Sequence, residues 1–108
     1  MNWGDIRLMV DVIAELKELP FTLNAERDDG GICLQVNEFP DAYDYGATYE
    51  ETLGELAHSL KDWGRVTGDH VDEWRKGREE QLPYLLKILV SSEGELLECL
   101  RKATCENI

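Results

Sequence analysis

The chain has 108 residues, 43% of them hydrophobic and 31% charged, with 11 basic and 23 acidic side chains and a net charge of −12. A chain of this length buries about two-thirds of its unfolded surface, enough for one core, and this composition belongs to neither a disordered polyelectrolyte nor a membrane protein. No run reaches the ~18 apolar residues of a spanning helix, and the opening Met1-Asn2-Trp3-Gly4-Asp5 lacks the basic start of a secretory signal, so the expected location is the cytoplasm.

Between Asp5 and Leu19 the apolar residues Ile6, Met9, Val10, Ile13 and Leu16 fall at helical spacing. Pro20 ends the pattern, because it lacks an amide hydrogen and disfavours helix in the residue before it. The period then changes to two. Phe21, Leu23 and Ala25 alternate with Thr22, Asn24 and Glu26, which predicts a half-buried strand. Asp28-Asp29-Gly30-Gly31 is a hairpin turn signal. Ile32, Leu34 and Val36, alternating with Cys33, Gln35 and Asn37, predict a second strand. Phe39-Pro40-Asp41 reads as another turn, followed by a short third strand at Tyr43-Asp44-Tyr45. Three strands joined this closely predict an antiparallel meander.

Thr48 and Glu51 have the spacing of a helix capping box. Behind them Leu53, Leu56, Ala57, Leu60 and Trp63 form one stripe, predicting a helix over Tyr49–Trp63 that covers a sheet face. Thr67-Gly68-Asp69 reads as a loop into a polar helix from His70 to about Gln81, anchored by Trp74. Pro83 suits a helix start, with Leu82, Leu85, Leu86, Leu89 and Val90 as its stripe, and Ser92 with Glu95 forms a second capping box. The predicted class is α+β: a small three-stranded antiparallel sheet packed against a helix, with flanking N- and C-terminal helices. Residues 1–108 read as a single domain, with an N-terminal helix at 1–20, a core at 21–64 and a helical tail at 65–108.

Charge is uneven. Residues 1–65 carry 5 basic and 14 acidic side chains, net −9, and residues 66–108 carry 6 and 9, net −3. Such a surface repels nucleic acid, whose binding depends on Lys and Arg displacing counterions; it attracts a basic protein. Cys33, Cys99 and Cys105 form no CxxC pair, which argues against a disulfide framework or a cysteine zinc site. Reduced thiols are expected, with Cys33 buried in its strand.

The run from Phe21 to Trp63 resembles the HicB-like antitoxin domain. The resemblance is carried by Phe21-Thr22-Leu23, by Asp28-Asp29-Gly30-Gly31 leading into Ile32-Cys33-Leu34, by Phe39-Pro40-Asp41, and by Gly46-Ala47-Thr48 before the Glu50-Glu51 first turn. Leu82-Pro83-Tyr84-Leu85-Leu86-Lys87-Ile88-Leu89 looks like a stretch of antitoxins from toxin–antitoxin stability systems. The resemblance implies a partial RNase H-like fold and a non-enzymatic protein that neutralises a ribonuclease toxin. In many members it also implies operator binding by a separate C-terminal segment. This chain departs from the pattern with a helix before the first strand, with Pro40-Asp41-Ala42 where a small-residue turn is usual, and with no basic recognition module after Gly64.

Asp28, Asp29, Asp41 and Asp44 could be read as carboxylates for divalent ions, but Asp favours turns through local hydrogen bonds. His58 and His70 lack metal-ligand spacing, so neither a metal nor another cofactor is expected. Trp63 and Trp74 suit a core. Tyr43, Tyr45 and Tyr49, with Asp41 and Asp44 beside them, are the candidate partner-binding residues, because tyrosine buries much area with few rotatable bonds. The expected function is an antitoxin that occludes a basic toxin. The alternatives are an interaction module that forms homo-oligomers through the Leu82–Leu100 tail and, on fold analogy alone, a divalent-metal nuclease.

Overall fold

The structure is a computed structural model that describes residues 2–106. The elements run α1 (Trp3–Glu18), β1 (Thr22–Asp28), β2 (Gly31–Val36), β3 (Phe39–Gly46), α2 (Tyr49–Gly68), α3 (Val71–Trp74), α4 (Leu82–Val90), α5 (Glu93–Lys102) and β4 (Thr104–Glu106). The α+β class stands, but the sheet is four-stranded and mixed rather than three-stranded and antiparallel. Its order is β3-β2-β1-β4, with β4 parallel to β1. Three residues carry no readable pattern, and β4 forms because β1 offers an unpaired edge to whatever the chain brings beside it.

The predicted alternation places Leu23, Ala25, Ile32, Leu34 and Val36 on one face, all buried. Against them α2 lays Leu53, Leu56, Ala57 and Leu60. The helix begins where expected, with the Thr48 hydroxyl accepting from the Glu51 amide at 3.2 Å. It continues past Trp63 to Gly68, taking in part of the anticipated loop. Gly64 permits this: a Cβ there would collide with Ile88 of α4, so the missing side chain is what lets the two helices cross closely.

β3 also starts earlier than predicted. Phe39-Pro40-Asp41 is strand, not turn, because Phe39 is buried and pairs with Val36. Proline is tolerated there because β3 is an edge strand, where a missing N–H breaks no ladder. The polar helix expected over His70–Gln81 shrinks to the single turn of α3, and Gly77 beyond it takes φ 76°. Trp74 still anchors the segment, packing edge-on to Trp63 at 5.9 Å beside Phe39.

α4 and α5 pack into the main core, where Leu85, Ile88, Leu96 and Leu100 are fully buried. The anticipated α4 stripe is therefore rotated. Leu86 and Leu89 remain partly exposed, while Lys87 is buried. The Lys87 Nζ donates to the carbonyl of Lys17 and lies 5.5 Å from the Phe21 ring centre. Lys61 of α2 caps α4 in the same manner, donating to the carbonyls of Ile88 at 2.9 Å, Leu89 at 3.3 Å and Ser91 at 2.6 Å. Cations suit helix C-termini, where carbonyls lack helical partners.

α1 is the exception to all this packing. It forms as predicted, capped by a reciprocal pair between Asn2 and Asp5. Yet none of its residues is buried, and Trp3, Leu8, Met9 and Val10 are more than half exposed. Only its last turn is fastened, through the Lys87 bond and a 3.0 Å ion pair between Lys17 and Glu95. The radius of gyration is 15.0 Å, against ~13 Å for a compact chain of this length.

Candidate functional site

With α2 covering one face of the sheet, the opposite face is open. Strand alternation sends Asn24 and Glu26 of β1, Cys33 and Gln35 of β2, and Tyr43 and Tyr45 of β3 to that side. The registers align them in two rows across the strands. One row runs Glu26, Cys33, Tyr45, and the other Glu106, Asn24, Gln35, Tyr43. Tyr43 and Tyr45 are 62% and 50% exposed, an unusual amount for aromatic side chains in a strand. Gln35 donates to the Pro40 carbonyl at 2.6 Å, which holds the early part of β3 against β2.

The five residues anticipated for partner binding do not converge. Tyr43 and Tyr45 share the open face, and Asp41 is exposed at the sheet edge beside them. Asp44 is paired with buried Leu34 and so lies on the covered side. Its Oδ2 is out of solvent with no hydrogen-bond partner among the described residues. Tyr49 opens α2 and packs against the core. Burial raises its phenol pKa first, with the Cys105 thiol adding to the effect. The missed members of the open face, Asn24, Glu26, Cys33 and Gln35, occupy the polar half of the alternation. Their signal was the same period that located the core.

Asp28 lies at the hairpin end of this face. Its Oδ1 accepts from the Tyr45 hydroxyl at 2.8 Å and from the amides of Gly30 at 2.9 Å and Gly31 at 3.1 Å. The tyrosine bond, followed by the Gly30 amide, holds its carboxyl below the usual carboxylate range. The aspartate thus closes the turn and fixes the ring of Tyr45. Cys33 is partly exposed on the open face, a correction to the fully buried position expected for it. Desolvation, then the charges of Glu26, Asp44 and Asp28, push its thiol pKa up, the reverse of what activates a nucleophile.

Residues 22–46 carry six acidic side chains and one basic one, Arg27. Of these, Glu26 lies on the open face, Asp28 at its hairpin end and Asp41 at its edge, so the surface is negative and carries two aromatic anchors. Among the described residues no group of three His, Cys, Asp or Glu side chains is placed to hold a metal ion. His58 instead bridges two helices, with Nδ1 2.9 Å from Glu93 and Nε2 3.6 Å from Asp62. No described helix is long and apolar enough to cross a membrane.

No family model matches the sequence, and no curated protein does. The fold has a clear counterpart among solved structures. A crystal structure from Syntrophomonas wolfei subsp. wolfei, described as the antitoxin part of a proposed toxin/antitoxin system, superposes with a TM-score of 0.76. The match covers 90% of this chain and 70% of that one at 21% identity. What the two share at that identity is the fold.

Proposed function

We propose that this chain is the antitoxin of a toxin–antitoxin pair, and that it binds and neutralises a basic toxin, a ribonuclease, without chemistry of its own. The observation that carries the reading is the open sheet face: two half-exposed tyrosines set in an acidic surface, on a fold shared with a protein described as an antitoxin. In this reading Tyr43 and Tyr45 are the central contacts, with Asp41 and Glu26 at the rim. Asp44 and Tyr49 act from behind, shaping β3 and the start of α2. The negative field steers a cationic partner in, and burial of the tyrosines sets how slowly it leaves. The HicB-like relationship belongs to the same proposal.

The test pairs this protein with a small basic protein encoded beside it. The expected outcome is a stoichiometric complex in which RNA cleavage by the partner stops. Tyr43→Ala is expected to raise the off-rate at least ~10-fold, as loss of an interface anchor does. Asp41→Lys with Glu26→Lys is expected to slow association and flatten its salt dependence. A complex formed with unchanged rates by both variants would remove the open face from the reading. Failure of any basic neighbour to bind would remove the antitoxin role itself.

A further inference from the structure

We infer that α1 is a self-association helix whose apolar face is covered by the α1 of a second copy of this chain. On a helical wheel, Arg7, Asp11 and Glu15 form one narrow polar ridge at i, i+4 and i+8. The apolar arc from Leu8 through Val12, Met9, Ile13 and Ile6 to Trp3 takes up about 220° of the circumference. A helix that covers one side of a domain needs an arc of only ~100°. The named ties from α1 to α4 and α5 are at Lys17, in its last turn, while Trp3, Leu8, Met9 and Val10 stay more than half exposed.

The exposed area fits a dimer. Seven large apolar side chains of α1 are between 38% and 79% exposed. At the areas usual for such residues they leave on the order of 700 Å² uncovered, above the ~300–600 Å² patch of a typical monomer and near the ~800 Å² each partner contributes to a standard interface. Apart from Trp3 the surface is aliphatic, like a core cut in two, which is how homodimer interfaces differ from polar, transient ones. A free helix of 16 residues is marginal in water, so an unburied α1 needs a partner to stay formed.

Charge opposes a second copy less at α1 than at the sheet. Two chains of −12 repel each other, but Trp3–Glu18 carries four acids against Arg7 and Lys17, a net of −2, while residues 22–46 carry −5. The two polar residues within the apolar arc are already engaged, Asp5 with Asn2 and Lys17 with Glu95. An antiparallel pair also sets the two helix dipoles in opposition, which is favourable. The inference is independent of the toxin reading, since it requires no other protein.

Light scattering on the full chain at about 100 µM, where a dimer of ordinary affinity is populated, is expected to give twice the 12.4 kDa of one chain. Leu8→Glu with Val12→Glu, both at exposed positions, is expected to reduce this to one chain mass, with the near-ultraviolet signal of the Trp63–Trp74 pair retained. Glu15→Ala on the polar ridge is expected to stay dimeric. A wild-type monomer at this concentration would overturn the inference. So would a dimer that survives the Leu8/Val12 change, or an α1 face protected from labelling only when a cationic protein is added.

Discussion

α1 and α2 carry comparable amphipathic patterns and come to opposite ends. In α2, Leu53, Leu56 and Leu60 are wholly excluded from solvent, pressed on the sheet and on α4 and α5. In α1, Leu8, Met9 and Val10 face water. Spacing at 3.6 residues determines that a helix forms and which residues share its face; whether anything lies opposite is a property of the rest of the fold. The same contrast separates the two faces of the sheet, one closed by α2 and one presenting tyrosines.

Truncation breaks or sharpens this comparison most directly. Leu56→Ala removes a buried side chain, and urea unfolding is expected to show a loss of about 3 kcal/mol. Leu8→Ala, at an exposed position of α1, is expected to stay within about 0.5 kcal/mol in dilute solution. A loss at Leu8 comparable to that at Leu56 would mean that α1 is packed into its own chain after all.

Within α2 two glycines divide the same way. Gly64→Ala drives a methyl into Ile88 and is expected to destabilise by about 1–3 kcal/mol, although alanine is the better helix former. Gly54 has open space at its Cβ, so Gly54→Ala is expected to gain about 0.5–1 kcal/mol in the same denaturation series. Should both substitutions stabilise, the close crossing of α2 and α4 would be wrong.

Smaller effects follow for the lysine caps. Lys61→Met leaves three carbonyls at the end of α4 without their donor, and about 1–2 kcal/mol of stability is expected to go with it. Lys87→Met frees the Lys17 carbonyl, and amide exchange across α1 is expected to quicken before that of α2.

His58 gives the smallest effect. Its hydrogen bond to Glu93, then the charges of Glu93 and Asp62, raise its pKa above the ordinary 6.5. A group whose pKa is higher folded than unfolded stabilises most below its unfolded value and loses that contribution as pH rises through the folded one. Wild type and His58→Gln are therefore expected to differ slightly at pH 6 and to converge by pH 9, and an NMR titration is expected to place the imidazole above 6.5. Divergence on raising the pH would reverse the assignment of the bridge between α2 and α5.

Much of this architecture was legible in the residues. Alternation located β1 and β2 and, read for its polar half, the open face; Pro20 and Pro83 marked boundaries, and the Ser92 capping box forms in full while Thr48 makes only its own half of the expected box. These features rest on interactions within a few residues, so the local sequence suffices. The site was half legible: Tyr43 and Tyr45 were found together, while Asp44 was grouped with them although its place between them in β3 turns it to the covered side. Chain neighbours in a strand point opposite ways.

The remainder depends on groups far apart in the chain. β4 is a strand only because β1, some eighty residues earlier, has a free edge. Lys87 is buried only because Lys17, seventy residues away, supplies a carbonyl. Ile88 of α4 reaches the core closely because α2 carries a glycine where the two helices cross. Composition and period set the elements, the charge and the apolar faces. The folded chain alone settles which of those faces meets a partner of its own and which is left open, because burial is a relation between surfaces and no stretch of sequence contains both.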